Sequence, residues 1–312
     1  MMKRLLAFFL CLFLLAGCGS QPAAHSGEDA VVFTDATGTE IQVKRKPETV
    51  AVLTSSLADL WLTAGGSVEV TVGETVERGF VDKAAVLVDD GAGKTINLEA
   101  LIAAEPDFVL YSSDLAGQLE CGDALRAAGI PAAGFAVETF ADYLQLLKIC
   151  TDILETPDHY EMFGLQVKER VDKLIETAQK QENQPSVLFV RAGSSAKYTK
   201  AKTAENHFVC GMLKELGTQN IADAAPVLLD GLSVEEILLS DPDAILFTTM
   251  GDETTGLAYM ESLLLDPVWQ SLTAVREGNV HQLPKDWFQY KPNAQWDLAY
   301  AYLIELLYGD IL

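Results

Sequence analysis

Short apolar runs rich in β-branched residues alternate along the chain with segments whose apolar residues recur every three or four positions. The apolar runs predict strands at residues 50–54, 68–73, 108–112, 132–135, 187–191, 244–248 and 280–283. The periodic segments predict amphipathic helices at residues 57–64, 98–104, 121–128, 140–153, 208–216, 234–239 and 259–264. This alternation is typical of parallel α/β units, so we expect an α/β fold with parallel central sheets.

One segment between Pro157 and Lys180 departs from this alternation. It contains no strand pattern, and its apolar residues recur at helical spacing, which predicts one helix of roughly 24 residues and about 36 Å. Thr156 suits the N-cap and Pro157 the first helical position. We expect an interlobe helix at residues 157–182 joining two Rossmann-like lobes at residues 31–156 and 183–312. An ordinary crossover helix within one domain is the alternative.

An internal repeat supports the two-lobed interpretation. Asn97-Leu98-Glu99 is followed by Glu105-Pro106-Asp107 and an apolar run, and Ser233-Val234-Glu235 is followed by Asp241-Pro242-Asp243 and an apolar run. The spacing from the cap residue to the proline is the same in both copies. Each copy predicts a capped short helix, an acidic turn and a buried strand, one on each side of the long helix.

The first thirty residues resemble a bacterial lipoprotein leader. Lys3 and Arg4 precede an apolar run at residues 5–15, which is shorter than the ~20 residues of a membrane-spanning helix. Leu15-Ala16-Gly17-Cys18 resembles a lipobox. We therefore expect a signal peptide at residues 1–17, lipid on Cys18 and a flexible tether at residues 18–30. The mature protein would then be anchored on the extracytoplasmic face of the cell membrane. A plain secretory signal is the alternative.

Charge and cysteine content narrow the function classes. The 312 residues carry a net charge of −23, which argues against nucleic-acid binding and against broad contact with anionic lipid. Besides Cys11 and Cys18 the chain has Cys121, Cys150 and Cys210, with no Cys-x-x-Cys motif. We expect three buried thiols, with a Cys121–Cys150 disulfide as the alternative.

Several further segments carry a family resemblance in their order and spacing. They are Thr34-Asp35-Ala36-Thr37-Gly38, the strand at 50–54 with Ser55 and Ser56, Leu216-Gly217-Thr218-Gln219-Asn220, Asp266-Pro267-Val268-Trp269 and Ala274-Val275-Arg276-Glu277-Gly278, together with the two repeat copies. With them the chain resembles the metal-chelate solute-binding proteins of ABC importers, which bind ferric siderophores, haem or cobalamin. The resemblance implies the class III periplasmic-binding-protein fold, with two lobes and a single long interlobe helix.

The resemblance also implies a partner and a way to reach it. In the family one surface glutamate per lobe docks onto arginines of the permease, and Glu99 and Glu235 match those positions. The implied partner is an ABC permease dimer with its ATPase, served by a monomeric receptor. A purely structural role is the alternative, because a carboxylate in the first turn stabilises a helix by about 0.3–1 kcal/mol.

Ligand residues are expected where parallel strands end, because a cleft between α/β lobes is lined there. The candidates are Ser55, Ser56, Tyr111 and Ser112 in the first lobe, Arg191, Lys197, Tyr198 and Thr249 in the second, and the aromatics Trp287 and Tyr290. Arg191 suits a carboxylate or an anionic chelate, with a salt bridge inside its lobe as the alternative. The aromatics could equally pack at the hinge.

Bare metal and catalysis are disfavoured. His25, His159, His207 and His281 show no metal-ligand spacing, and Gly-x-Ser-x-Gly and His-Glu-x-x-His motifs are absent from the sequence. We expect no catalytic residue, no metal site and no cofactor. The expected function is delivery of a ferric siderophore to the permease with a modest change of lobe angle. A haem or cobalamin receptor is the alternative, and a lipid-anchored adhesin or scaffold is the alternative of another class.

Overall fold

The computed structural model describes residues 29–90 and 95–311 of the chain. The predicted signal peptide, Cys18 and most of the predicted tether lie outside these residues. Within the described part of the chain, no helix combines the length and apolar character needed to cross a membrane.

The first lobe is built on a five-stranded parallel sheet in the order β5-β4-β3-β6-β7. An antiparallel hairpin of β1 (Ala30–Thr34) and β2 (Glu40–Lys44) precedes it. The sheet strands are β3 (Val50–Val52), β4 (Val70–Thr71), β5 (Val86–Leu87), β6 (Phe108–Ser112) and β7 (Ala132–Phe135). The helices are α1 (Ser55–Thr63), α2 (Gly73–Glu77), α3 (Leu98–Ala103), α4 (Ala116–Ala127) and α5 (Phe140–Leu154).

A long helical segment then leads to the second lobe. It comprises α6 (Pro157–Tyr160), a π-helical turn at Glu161–Leu165 and α7 (Gln166–Gln179). Val167, Val171 and Ala178 form its buried face, as the three- and four-residue spacing predicts. The helix predicted at residues 157–182 is thus observed over residues 157–179, with a wider turn inside it that the sequence pattern did not indicate.

The second lobe repeats the α/β design. Its sheet has the parallel order β10-β8-β11-β12, and β9 pairs antiparallel with β8. The strands are β8 (Ser186–Ala192), β9 (Lys200–Ala201), β10 (Gln219–Asn220), β11 (Ala244–Thr249) and β12 (Val280–Gln282). The helices are α8 (Phe208–Glu215), α9 (Ile221–Ala224), α10 (Val234–Ser240), α11 (Glu253–Leu264), α12 (Thr273–Glu277), α13 (Lys285–Phe288) and α14 (Trp296–Tyr308). The C-terminal helix α14 packs along α7.

The sequence repeat corresponds to a structural one. Glu105 and Asp241 both adopt left-handed backbone conformations, with φ of 46° and 38°. Two residues later, Asp107 accepts a hydrogen bond from the Thr49 amide (2.9 Å) and Asp243 accepts one from the Ser186 amide (2.7 Å). In each lobe the same turn therefore fastens the start of β6 or β11 to the start of the neighbouring strand.

The three cysteines of the folded part are free and buried. Cys121, Cys150 and Cys210 therefore follow the prediction of buried thiols, and the alternative Cys121–Cys150 disulfide is not formed. Burial raises the pKa of all three thiols, which lowers their reactivity.

Candidate ligand-binding cleft

A cavity of about 160 Å³ lies where the first-lobe strands end. Its polar lining includes Ser55 and Ser56 after β3, Glu74 after β4, and Ser112 and Asp114 at the end of β6. Each residue reaches the cavity because the carboxyl ends of parallel strands meet at one edge of the sheet. The second lobe closes the cavity with Gln289, Tyr290, Lys291 and Asn293.

A hydrogen-bond network organises the first-lobe wall. The buried Ser55 donates from its hydroxyl to Glu74 (2.6 Å) and accepts from the Arg78 guanidinium (3.0 Å). The preceding Thr54 caps α1 by accepting from the Leu57 amide (3.4 Å). Because the cap fixes the first turn of α1, the Ser55 hydroxyl is held between a carboxylate and a guanidinium.

Arg78 connects the two lobes. Its guanidinium carbon lies 4.6 Å from the centre of the Phe80 ring and 3.8 Å from that of the Tyr290 ring. One of its nitrogens lies 3.6 Å from the Asp286 carboxylate. Burial raises the pKa of Tyr290, with Glu74 acting in the same direction and Arg78 against it, so Tyr290 stays a neutral phenol at physiological pH.

The chain between β12 and α14 crosses from the second lobe onto the first, and we call residues 284–295 the crossing segment. Lys291 forms an ion pair with Glu138 (2.8 Å). The Asn293 side-chain amide donates to the Ser56 carbonyl (2.9 Å) and to the Asp59 carboxylate (2.7 Å). These contacts tie the crossing segment to α1 and to the loop after β7.

A larger cavity of about 620 Å³ lies on the other side of the crossing segment. Asp59, Arg78, Phe80, Trp287 and Lys291 are among its lining residues. Burial raises the pKa of Asp59, while the hydrogen bond from Asn293 and the charge of Arg78 act against that shift. Lys291 lines both cavities, and Arg78, which lines the larger one, contacts the Tyr290 ring that lines the smaller one.

The second-lobe wall carries polar groups without partners. Arg191 in β8 is the register partner of Thr248 in β11, so the two side chains lie on the same face of the sheet. The Arg191 Nε and the Thr248 and Thr249 hydroxyls are buried and have no hydrogen-bond partner. Within residues 29–90 and 95–311 no carboxylate pairs with Arg191, so a salt bridge inside the lobe does not account for it.

Further cations surround Arg191. Lys200 faces it directly across the β8–β9 pair, and the Lys202 amide donates to the carbonyl of Phe189 (3.1 Å), two residues before Arg191. Burial lowers the pKa of Arg191, and burial together with the Arg191 charge lowers that of Lys202. This part of the wall carries three cations, and among the residues that the structure describes no acid forms an ion pair with Arg191, Lys200 or Lys202.

His207 lies beneath this positive wall. Its ring is 4.8 Å from the Phe189 ring and 5.2 Å from the Phe208 ring, and Lys291 Nζ lies 4.3 Å from the Phe208 ring. Burial, followed by the charges of Lys291, Arg191 and Lys202, lowers the pKa of His207 to about 3. His207 is therefore a neutral packing residue at physiological pH.

Comparison with known proteins places this geometry in a family. The sequence profile described as "Periplasmic binding protein" matches residues 50–287, which is more than half of the chain. The chain belongs to the periplasmic binding protein family. Members are the substrate-binding components of ABC importers, so a solute-binding, extracytoplasmic role and a non-catalytic function are supported. No curated protein sequence matches the chain.

Solved structures share the fold at low identity. The apo haem-binding protein RhuT from Roseiflexus sp. RS-1 is 20% identical with a TM-score of 0.70, covering 85% of this chain and 99% of its own. Staphylococcus aureus SirA in complex with staphyloferrin B is 18% identical with a TM-score of 0.69, covering 90% and 100%. A solute-binding protein from Veillonella parvula DSM 2008 is 21% identical with a TM-score of 0.68, covering 90% and 87%. These similarities confirm the predicted class III fold.

The cleft of this periplasmic binding protein brings some predicted site residues together. Ser55, Ser56, Ser112 and Tyr290 line the smaller cavity, and Trp287 lines the larger one. Arg191, Lys197, Tyr198 and Thr249 are in the second lobe and line neither cavity. Lys197 and Tyr198 are exposed after β8, with Lys197 Nζ 5.3 Å from the Tyr198 ring.

Two predicted ligand residues are buried instead. Tyr111 is 0% exposed, and its hydroxyl accepts a hydrogen bond from Arg126 (2.8 Å), so it does not reach the cleft. Its ring packs where Gly122 and Gly134 leave room, which explains why β6 directs it into the lobe core. Thr249 is 1% exposed and packs against Gly256, on the face of β11 opposite that of Thr248, which shares the face of Arg191 and is itself 0% exposed.

The sequence interpretation missed several cleft residues. Lys291 and Asn293 directly follow the aromatic run at 287–290, and extending that loop would have included them. Arg78 and Lys202 carry no such signal, because their positions depend on contacts with other elements. The described residues contain no group of three or more His, Cys, Asp or Glu side chains arranged to hold a metal ion.

The predicted docking residues lie on the surface. Glu99 and Glu235 are exposed in the first turns of α3 and α10. Neither has an ion-pair partner among the described residues. Their carboxylates are therefore available to a basic partner.

Proposed function

We propose that this chain is the solute-binding lipoprotein of an ABC importer, and that it captures an anionic ferric chelate of the siderophore class between its lobes. The observation that carries the proposal is the unpaired Arg191 beside Thr248 at the ends of β8 and β11. A guanidinium fork binds two oxygens at once. A carboxylate or catecholate chelate offers such oxygens.

The distribution of basic residues supports an anionic ligand. The chain as a whole has a net charge of −23. Eight lysines and arginines follow Asn183, and six of them lie at residues 191–202, from the end of β8 onward, and at residues 285–291, in the crossing segment. The six are Arg191, Lys197, Lys200, Lys202, Lys285 and Lys291. A positive wall inside an acidic protein attracts anions locally while the rest of the surface repels them.

This positive wall costs stability in the empty protein. Like charges directly opposite each other across strands are destabilising, as Arg191 and Lys200 are. A buried donor without a partner costs about 1–3 kcal/mol, and the Arg191 Nε is such a donor. An anionic ligand would remove both costs on binding, which gives the arrangement a function that packing alone does not explain.

Similar structures supply the metal-chelate class as a hypothesis. SirA was solved with staphyloferrin B, and RhuT and HmuT are described as haem-binding. Haem is the second candidate, because Tyr198 is 51% exposed on the loop after β8 and a tyrosine oxygen can serve as an axial haem ligand. The nearby cations would suit the haem propionates as they would suit a siderophore.

The test of the ligand class is a tryptophan fluorescence titration of the purified protein. The panel contains a ferric hydroxycarboxylate, a ferric tris-catecholate, a cationic ferric trihydroxamate, haem and cobalamin. We expect the anionic ferric chelates to bind and the cationic one to bind weakly or not at all. Preference for the cationic or neutral compounds would contradict the proposal.

Arg191 provides the residue-level test. Arg191→Gln should weaken binding of the anionic chelate about 10- to 100-fold, because it removes charge-assisted hydrogen bonds. Arg276→Gln is the matched control, since Arg276 is an exposed arginine of the same lobe whose guanidinium donates to Thr273 (3.0 Å). If haem is the ligand, Tyr198→Phe should shift its Soret band. If Arg191→Gln and Arg276→Gln bind the anionic chelate with equal affinity, Arg191 is not part of the binding site.

Delivery is proposed to use Glu99, Glu235 and the lipid anchor. The carboxylates would meet arginines of the permease dimer, and lipid on Cys18 would raise the effective concentration of the receptor at that surface. Reversing both charges, Glu99→Arg with Glu235→Arg, should abolish iron uptake and leave ligand affinity unchanged. Cys18→Ala should retain binding and reduce uptake. Normal uptake by the double variant would refute the docking role.

A further inference from the structure

The outer faces of α3 and α10 carry more than their glutamates. One turn after Glu99 lies Ile102, which is 38% exposed, and one turn after Glu235 lies Leu238, which is 40% exposed. Residues three positions apart lie on the same helix face, about 5–6 Å from each other. Each helix therefore presents a carboxylate and an apolar side chain side by side.

The two faces correspond position by position. In the structural repeat Glu99 matches Glu235, and Ile102 matches Leu238, at the same spacing from the left-handed turn residues Glu105 and Asp241. The residues that point inward match as well, since Leu101 is 0% and Ile237 1% exposed. The exposed apolar residues are therefore not a local irregularity of one lobe.

The two faces differ at one matched position. Residue 103 is an exposed alanine, whereas the equivalent residue of the second lobe is Leu239, which is 81% exposed. Leu239 lies four positions after Glu235 and thus on the same face as Glu235 and Leu238. The second lobe accordingly offers a larger apolar contact beside its carboxylate.

Both faces lie toward the edge of the molecule that holds the cleft. α3 leads into β6 and α10 leads into β11, so each helix runs antiparallel to the strand that follows it. The first turns of both helices are therefore near the carboxyl ends of the strands, where the cleft opens. A partner that contacts both faces would also be adjacent to the bound solute.

We propose that Glu99, Ile102, Ala103, Glu235, Leu238 and Leu239 form one docking surface for a twofold-symmetric permease, and that its second-lobe half binds more tightly. This rests on the proposed function. Two matched faces fit a partner with two equivalent subunits, each offering a base beside an apolar patch. The unpaired carboxylates disfavour an anionic lipid surface as the occupant, because they would be repelled by it.

The two halves of the docking surface would contribute unequally to the affinity for the permease. Burying an exposed leucine side chain contributes about 10- to 100-fold in affinity, whereas an alanine contributes far less. The second lobe would hold the permease through Leu238 and Leu239 while the first lobe, with Ile102 and Ala103, is held more loosely. The looser half is then the one free to move when the solute leaves the cleft.

The experiment uses a host strain that lacks this chain and expresses the full-length protein from a titratable promoter. The host's own spent medium is loaded with ⁵⁵Fe, and the initial rate of ⁵⁵Fe uptake from it is measured. Each rate is compared with the amount of receptor quantified at the cell surface. The variants are Leu239→Ser, Ile102→Ser and Ala103→Leu. Leu265→Ser is the control, because Leu265 is 78% exposed at the end of α11 and outside the docking surface.

At limiting receptor we expect Leu239→Ser to lower uptake about tenfold, and Ile102→Ser to lower it less. Ala103→Leu should raise uptake, a gain that a folding defect would not produce, since leucine is a good helix former. Leu265→Ser should match the wild type. The purified variants should all bind iron chelates from the same medium equally well.

Other outcomes separate the two proposals. If Leu239→Ser equals Leu265→Ser, or if Ala103→Leu has no effect, the apolar docking contact is refuted. If these variants are neutral while the double glutamate reversal abolishes uptake, the proposed function stands and this inference alone fails. If the wild-type chain restores no uptake to the host strain, the proposed function itself fails.

Discussion

Replacing Asn293 should weaken the connection between the two lobes more than any ordinary surface substitution. Asn293 is 1% exposed, and its amide nitrogen donates to both the Ser56 carbonyl and the Asp59 carboxylate. Its backbone is left-handed, with φ of 49°, a conformation that asparagine and glycine tolerate better than alanine. One buried residue thus combines two side-chain hydrogen bonds with a left-handed backbone conformation.

The expected loss follows from these contacts. The bond to the Asp59 carboxylate contributes about 1.5–3 kcal/mol and the bond to the neutral carbonyl about 1 kcal/mol. Asn293→Gly should therefore lower the free energy of unfolding by about 3 kcal/mol, and Asn293→Ala by roughly 1 kcal/mol more because of backbone strain. A change of 3 kcal/mol corresponds to a Tm lower by about 6 °C or more.

Differential scanning calorimetry of the unliganded protein measures this. Asn206→Ala is the control, because Asn206 is exposed and its side-chain oxygen accepts a hydrogen bond from the Thr203 amide (3.2 Å) within the same lobe. Asn293→Gly melting within about 1 °C of Asn206→Ala would refute the reasoning. Equal Tm values for Asn293→Gly and Asn293→Ala would show that the left-handed backbone contributes nothing.

The loss should also depend on pH. Burial raises the pKa of Asp59 above its ordinary value of 3.8, and Asn293 opposes that shift. Without Asn293 the folded protein keeps a less compensated carboxylate, which disfavours folding when it is charged and not when it is protonated. The Tm difference between Asn293→Gly and the wild type should therefore shrink as the pH falls from 7 toward 4. A difference that grows on acidification would contradict the role of Asp59.

Three further predictions follow from buried groups. Arg191→Met should raise the Tm of the empty protein by about 2–4 °C in calorimetry, because it removes an unpaired Nε and the repulsion from Lys200. This range allows for solvent screening of the two charges. A lower Tm would contradict the prediction. Gly122→Ala should lower the free energy of unfolding in urea by about 3 kcal/mol, because the added Cβ would lie 2.3 Å from Cζ of Tyr111. A variant as stable as the wild type would show that the Tyr111 ring moves freely. His207, with its pKa lowered to about 3, should show constant NMR shifts between pH 8 and 5, and a titration near 6.5 would refute its burial beneath the positive wall.

Much of the fold could be predicted because its strands are buried on both faces. Residues 108–112 and 132–135 coincide with β6 and β7, since a central parallel strand reads as a continuous apolar run. The hairpin β1–β2 and the helix α14 were missed. α14 is apolar around most of its circumference because it packs on α7 and on both lobes, so it has no clear polar face to reveal its period.

Only part of the cleft could be predicted, because the side of a strand that faces a ligand depends on packing. Tyr111 and Ser112 are both at the end of β6, and the helix α4 with its Gly122 decides that Tyr111 points into the core. Likewise Thr248, and not the predicted Thr249, lies beside Arg191, because the register of β8 with β11 pairs them. A shift of one position along a strand changes the face.

The two α/β halves, the repeat that relates them and the exposed glutamates Glu99 and Glu235 could all be predicted from sequence patterns. These features arise from periodicity, caps and turns within a few residues. The contacts of Asn293 with Ser56 and Asp59, and the position of Arg78 between Phe80 and Tyr290, arise only when the whole chain has folded. Except for Phe80, these partners are more than two hundred residues away along the chain. Their contact depends on how the second lobe is held over the first, which no local pattern encodes.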